Sequence, residues 1–282
     1  MQSPALTPAA EIEPAALHRA FAQAFSDYLA GPFNLPFEGW PVFLGRQCVD
    51  LARSRVVLRE GEVAAFAFVA VRHDTSAWRL ATMGALPAAR GTGAAQVLLD
   101  DFIARARDDG ARFVELECFA QNGRALKLYR SRGFAAIHEL PGFTMTSPAM
   151  MERHAAAPVT LAEAFEWLDE VARRRGDLPL QVTPASLRAQ PFELQALRHG
   201  AAQSIQAVVA PGKVTVFSLV DDGSPGQRDA QDVIATVLAE HPGSTITVPQ
   251  LQRADLGGDA LQALGFQRLP LHQLMMRRAT AA

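Results

Sequence analysis

Residues 83–99, MGALPAARGTGAAQVLL, and residues 114–134, VELECFAQNGRALKLYRSRGF, decide how this chain folds. A β-rich run ends at Pro87, and the next regular pattern is a helix over 94–107 with Val97, Leu98, Phe102 and Ala106 on its apolar side. Between them lies AARGTGAA. Gly91 and Gly93 let the backbone turn tightly with nothing projecting inward, so the N–H groups at the helix start can converge on one anion. The helix dipole favours negative charge there, and Arg90 adds a permanent cation. Glycines of this kind also make plain tight connections, so the turn alone leaves both readings open. Two phosphate loops are excluded by residue type. No Lys-Ser/Thr pair follows the last glycine, and GTGAAQ lacks the third glycine of a dinucleotide fingerprint.

Downstream, Asp108-Asp109-Gly110 stops the helix and Arg112 to Phe119 reads as a strand. Gln121-Asn122-Gly123 then opens a short helix whose apolar side is Ala125, Leu126, Leu128 and Tyr129; Arg132-Gly133 ends it, and Phe134 to Met145 reads as a hairpin-like β segment. Upstream, Leu17, Ala20, Phe21, Ala24, Phe25 and Tyr28 form one stripe on a helix over 15–29 that ends before Gly31-Pro32. Residues 31–43 have no sustained period and read as a loop, followed by a short helical stretch at 47–52. The runs 55–59 and 63–72 flank the Glu60-Gly61 turn as a hairpin, and 77–86 is a third strand, giving an antiparallel meander that feeds the glycine turn. Residues 1–14, rich in Pro and Ala, read as a tail with one short strand.

A chain of 282 residues accommodates two domains, each able to bury a core. With 49% hydrophobic and 20% charged residues, no apolar run of about 18 residues and no charged-then-apolar leader, the expectation is a soluble, unexported, cytoplasmic protein with no membrane partner. The two cysteines, Cys48 and Cys118, lack metal-type spacing and read as free thiols in a reducing compartment. A net charge of -2 supplies no basic field for nucleic acid, and the seven histidines show no paired-ligand spacing, so no metal site is expected.

Over residues 13–146 the sequence resembles the GNAT superfamily of acyl-CoA-dependent N-acyltransferases. The pyrophosphate-loop pattern Arg/Gln-x-x-Gly-x-Gly/Ala is matched by Arg90, Gly93 and Ala95, with Pro87 ahead of it; Ala95 stands where Gly is commoner. The later pattern Asn-x-x-Ala-x-x-Leu-Tyr, then Gly-Phe, is matched by Asn122, Ala125, Leu128, Tyr129, Gly133 and Phe134. The resemblance implies that the strands before and after the first loop helix splay apart to admit the pantetheine arm of acetyl-CoA. Ala85 and Leu86 would offer backbone groups to that arm. The N–H groups of Gly91, Thr92, Gly93, Ala94 and Ala95 would hold the pyrophosphate beside Arg90, and Asn122 would bond the cofactor.

Tyr129 would then donate a proton to the departing thiolate. Glu117, in the family's Leu-Glu-Val-like position, could deprotonate the acceptor amine or simply pair with an arginine. Glu115 lies on the same strand face, so Glu117, Glu115 and water remain alternatives as base. Arg124 and Lys127 fall near the expected adenine end, where they either meet the 3'-phosphate or form a solvated helix face.

From Ala155 the order of elements begins again. A helix at 161–175 is followed by strands at 192–197, 201–210 and 213–220, a helix at 229–240, a strand at 244–248, a helix at 259–264 and a strand at 267–277. The glycine turn is replaced by VDDGSPGQRDAQ, whose Asp221 and Asp222 would repel a pyrophosphate, and no Asn-to-Tyr element follows. The expected architecture is therefore α/β, two tandem GNAT-like domains, each a mostly antiparallel mixed sheet with a splayed strand pair flanked by helices. Residues 1–150 would bind acyl-CoA, and 151–282 would be a degenerate copy without the loop. The expected activity is transfer of an acetyl group from acetyl-CoA to a small-molecule or peptide amine in a ternary complex. The competing functions are a CoA-binding sensor and a structural scaffold.

Overall fold

The computed structural model describes residues 6–150 and 155–281; the first five residues of the expected tail and the residues just after the expected domain break at 150 lie outside it. In chain order the elements are β1 (Leu6–Pro8), α1 (Pro14–Ala24), α2 (Trp40–Arg46), β2 (Asp50–Arg59), β3 (Glu62–Arg72), β4 (Ala77–Ala85), α3 (Ala94–Asp108), β5 (Phe113–Phe119), α4 (Gly123–Ser131) and β6 (Ala135–Thr146). They continue as β7 (Ala157–Val159), α5 (Leu161–Arg175), α6 (Pro184–Leu187), β8 (Gln195–His199), β9 (Ala202–Ala210), β10 (Lys213–Asp221), α7 (Arg228–Glu240), β11 (Thr245–Val248), α8 (Gly258–Ala263) and β12 (Gln267–Ala279). This is the mixed α/β class expected, with mostly antiparallel strands.

Two compact units share these elements, and their boundaries interleave. The first comprises Met1–Cys118, Asn122–Ile137 and Met276–Ala282; the second comprises Phe119–Gln121 and His138–Met275. A single cut at residue 150 does not describe this division, because most of β6 belongs with the second unit and the last residues of β12 with the first. Strand exchange between segments distant in sequence leaves no trace in local periodicity.

In the first unit the strand order is β1-β2-β3-β4-β5, with the end of β12 beside β5. Its N-terminal face is covered by α1, whose Leu17, Ala20, Phe21 and Ala24 are buried. Phe21 is the centre of this core, its ring 4.5–6.3 Å from those of Phe33, Phe25, Phe43, Trp40, Phe66 and Phe68. The helix stops at Ala24 rather than running to Leu29, with Phe25 as its C-cap, so Asp27 and Tyr28 sit on an irregular segment. Residues 40–46 form α2 where a loop was expected, because Trp40 and Phe43 stack at 5.3 Å and turn into the core. The helical stretch expected at 47–52 is absent: Cys48 takes a left-handed φ of 52° and β2 begins at Asp50.

The feature that positions the site is the parting of β4 and β5. They pair in parallel through Ala77–Phe113, Trp78–Val114 and Arg79–Glu115, and then separate. Strand β4 continues to Ala85 bonded only to β3, where Ala65 faces Ala85. Leu86 N–H donates to Ala64 O at 2.9 Å, so by antiparallel alternation the peptide groups of Met83 and Ala85 face away from β3, into the gap. The expected splay is present.

In the second unit the order is β12-β6-β11-β10-β9-β8-β7. Here β6 is one long strand rather than a hairpin, paired with β11 from Phe143 to Thr146. Helix α5 keeps the bounds read from sequence because its ends are coded locally: Thr160 and Glu163 form a capping box, and Gly176 closes the C-terminus at φ 68°. Val233, Ile234 and Val237 of α7 pack on Val214, Val216 and Ile246 of the sheet.

Candidate functional site

Helix α3 begins where the glycine turn ends. Gly93 is its N-cap with φ 91°, and Gly91 has φ 81°, conformations that a side chain at either position would strain. The first bond to a helix residue runs from Val97 N–H to Gly93 O at 3.1 Å, so the N–H groups of Ala94, Ala95 and Gln96 have no acceptor within the helix. Thr92 does not contribute its hydroxyl, which donates back to Ala89 O at 2.8 Å.

These N–H groups open onto a cavity of about 580 Å³ in the first unit. Of the residues singled out from sequence, Ala85, Arg90, Gly91, Gly93, Ala94, Ala95, Asn122 and Tyr129 line it, while Leu86, Thr92 and Glu117 do not. On the strand side, Gly84 permits close packing: a Cβ there would lie 2.7 Å from Phe66 and 3.1 Å from Ala24, so those neighbours leave no space for a side chain. On the opposite side Asn122 caps α4, its Oδ1 accepting from Ala125 N–H at 3.1 Å.

Arg90 is not a free cation. It donates to both carboxylate oxygens of Asp27 at 2.5 and 2.6 Å, to Ala24 O at 3.1 Å and to Ala85 O at 3.4 Å. The same bonds hold the Asp27 carboxyl below the usual carboxylate range. Arg90 therefore ties the irregular segment after α1 to the start of the glycine turn.

The chain has two tyrosines, and both face this cavity. Tyr129 is 7% exposed, and burial pushes its phenol far up, with Cys118 and Tyr28 adding to the effect. Tyr28, unrecognised from sequence, has its phenol pushed up to about 12 by burial and by Cys118, partly offset by a hydrogen bond with the Asn122 side chain. Burial likewise raises the Cys118 thiol to about 12. At neutral pH all three groups are protonated and uncharged. The apolar-stripe reading concealed Tyr28; the signal available was its position just ahead of the Gly31-Pro32 stop, beyond helix-poor Ser26-Asp27.

The two glutamates of β5 point to the other face of the strand from Cys118. Glu115 is wholly buried and saturated, with Arg72 at 2.8 Å on Oε1 and Arg277 at 2.9 Å on Oε2. Glu117 pairs with Arg79 at 2.7 Å through Oε2, and Arg79 also donates to Gln47 at 3.2 Å. Its Oε1 is buried with no hydrogen-bond partner among the described residues.

The corresponding place in the second unit is filled from within. Asp221 is 1% exposed, and its carboxylate accepts from Gly223 N–H at 3.1 Å, Ser224 N–H at 2.7 Å, Ser224 Oγ at 2.6 Å and Ala230 N–H, in the first turn of α7, at 3.1 Å. Asp222 instead turns out to Arg174 and Arg175. Asp221 thus occupies the helix terminus, which differs from the repulsion at a distance expected of the pair. Asp221→Ala is expected to lower unfolding stability by about 2–3 kcal/mol, because buried N–H groups lose their acceptor, with Asp221→Asn losing less. Urea unfolding of the three proteins measures this, and equal stability of all three would refute the role.

The GNAT acetyltransferase family model matches residues 16–134. The fold is similar to that of a putative acetyltransferase from Pyrococcus horikoshii, at TM-score 0.68 and 14% identity over 99% of this chain and 90% of that one. It is similar also to a GCN5-related N-acetyltransferase from Sphaerobacter thermophilus, at TM-score 0.65 and 18% identity over 95% and 94%. A third likeness is to a conserved protein of unknown function, a probable N-acyltransferase, from Enterococcus faecalis V583, at TM-score 0.60 and 12% identity over 99% and 73%. At these identities the likeness concerns the fold. No curated protein matches the sequence.

Proposed function

We propose that the protein, whose residues 16–134 match the GNAT acetyltransferase family model, transfers an acyl group, acetyl by preference, from acyl-CoA to an amine by direct attack. The observation that carries this reading is one cavity onto which the unpaired N–H groups of α3, the end of β4 beyond its pairing with β5, and a buried phenol all open. The N–H groups of Gly91, Gly93, Ala94 and Ala95 hold the pyrophosphate, whereas that of Thr92 is turned back to Ala89 O at 3.4 Å. Peptide groups of Met83 and Ala85 lie along the gap, where an extended pantetheine arm pairs with them as a strand would. Asn122 holds α4 and Tyr28 in place beside the arm.

In the transfer step the neutral amine attacks the thioester carbonyl, the C–S bond breaks, and the leaving sulfur takes the Tyr129 proton. The amine proton leaves to a base on the far side of β5. Both oxygens of Glu115 are occupied, whereas Glu117 keeps Oε1 without a partner, which supports Glu117, directly or through water. The buried neutral Cys118 thiol supports transfer without a covalent enzyme intermediate. The second unit, its helix terminus filled by Asp221, is proposed to be a GNAT-like copy that binds no CoA.

Ala95→Asp tests this directly. A carboxylate in the first turn of α3 favours the helix by about 0.3–1 kcal/mol, yet it sets a negative charge against the pyrophosphate. Calorimetry with acetyl-CoA is expected to show affinity reduced on the order of 100-fold, with no loss of thermal stability. Absence of acetyl-CoA binding to the unaltered protein would end the reading; tight binding with no turnover of any offered amine would make the protein a CoA sensor.

A further inference from the structure

This inference rests on the reading above in which Glu117 takes the proton of the acceptor amine. Glu117 stands two residues past Glu115, the last residue of β5 paired with β4, so it lies where the two strands begin to part. Its side chain and that of Arg79 are each 2% exposed. A guanidinium that meets a carboxylate edge-on makes two parallel bonds, one to each oxygen. Arg79 does not. Its Nε and Nη2 both converge on Oε2 at 2.7 Å, and Oε1 is left buried with no partner among the described residues. Glu115, on the same face of the same strand, has both oxygens filled. A buried acceptor without a donor destabilises a fold, so the half-filled state of Glu117 needs a cause.

The cause is Gln47. Its Oε1 accepts from Nη1 and Nη2 of Arg79, each at 3.2 Å, which holds the guanidinium turned out of the two-oxygen geometry. Two donors facing the amide identify its oxygen, rather than its nitrogen, as the atom in contact. Gln47 is itself fixed by the chain. It is the C-cap of α2, its N–H donating to Phe43 O at 3.1 Å, and Cys48 after it takes the left-handed φ of 52° that a residue with a side chain adopts uncommonly. We infer that Gln47 is a positioning residue: it confines Arg79 to one oxygen of Glu117 and so keeps Oε1 open to the amine. The proton moves from the ammonium nitrogen to Oε1, directly or through one water. The N–H bond breaks as the O–H bond forms, and the nitrogen keeps the electron pair with which it attacks. With Gln47 removed, Arg79 closes on both oxygens and the base is occupied.

The test replaces Gln47 in the full chain by methionine, which matches its reach but has no oxygen, and by glutamate, which restores an acceptor at the same reach. Release of CoA from acetyl-CoA is followed with ethanolamine, spermidine and a lysine-containing peptide as acceptors. Gln47→Met is expected to lower kcat by about 100-fold, near the lower end of what a general base contributes. The KM for acetyl-CoA should stay within a few fold, and Tm should not fall, because Arg79 now satisfies Oε1. Gln47→Glu should keep kcat near that of the unaltered protein. In a Glu117→Gln background, Gln47→Met should lower kcat no further. Crystal structures should show Arg79 on both Glu117 oxygens in Gln47→Met and on one in the unaltered protein. An arginine that keeps to Oε2 in the variant overturns the inference, and so does a kcat loss that persists in the Glu117→Gln background or comes with a lower Tm. Full kcat in Gln47→Met overturns it while leaving acyl transfer in place. If the unaltered protein binds acetyl-CoA and acetylates none of the amines, the transfer reading fails and takes this inference with it.

Discussion

Replacing Tyr129 with phenylalanine is expected to lower kcat for acyl transfer by roughly 10²–10⁴-fold and to leave acetyl-CoA affinity within a few fold. Phenylalanine keeps the ring, including its edge contact with Phe134 at 6.0 Å, and removes only the hydroxyl. A loss confined to kcat therefore reports a proton delivered in the transition state. The pH profile supplies a second readout. Burial disfavours the phenolate, so the proton stays on Tyr129 well above the usual phenol value of about 10. The rate should show no decline from phenol ionisation as pH rises to that value, and any basic limb belongs to another group. Linkage has the same sign: the folded state keeps a proton that the unfolded chain loses, so this contribution to stability is full below about pH 10 and lost above it. Unchanged kcat in Tyr129→Phe, with the loss carried instead by Tyr28→Phe, would move the donor to the neighbouring phenol.

Replacing Glu115 with alanine is expected to destabilise the first unit by about 3–5 kcal/mol, the cost of leaving buried charge unpaired. Arg72 has a fully buried side chain and is held by Glu115 and by Asp74 at 2.5 Å; Arg277 reaches Glu115 from the last strand with 15% exposure. Removal of this carboxylate takes a buried ion-pair partner from two guanidinium groups at once, leaving Asp74 as the acidic partner of Arg72. The triple replacement of Arg72, Glu115 and Arg277 by apolar residues of similar volume should cost less than the single change, because it removes the desolvated charges together. Urea unfolding distinguishes these outcomes. A loss under about 1 kcal/mol in Glu115→Ala would mean that the network is solvated in practice.

The glycine turn, the start of α3 and the Asn122 cap were legible in the sequence because each is coded by residues within one turn of where it acts. Most strands of both halves were legible for the same reason, through alternation and turn residues, though not the short β7 or the unbroken length of β6. Contacts across long separations were not. Arg90 reads locally as a phosphate ligand, and nothing near it shows that Asp27, 63 positions away, engages both of its terminal nitrogens. The stripe ending in Tyr28 has helical spacing, yet the helix stops at Ala24, so the second phenol reaches the cavity from an irregular segment. Residues 31–43 read as a loop, yet Phe33, Trp40 and Phe43 are drawn into the Phe21 cluster. The interleaved unit boundary escapes any reading by segments.

Asp221 gives its helix terminus a counter-ion that cannot diffuse away. A terminus completed by its own chain gains nothing from an added anion, whereas the one at Gly93 has no side-chain cap. By mass action, ligand can then reinforce the first unit and not the second. The two helix starts thus differ in when they can stabilise their surroundings. The second contributes rigidity at every moment; under the proposed function, the first would hold its stabilisation in reserve, released in proportion to the supply of donor.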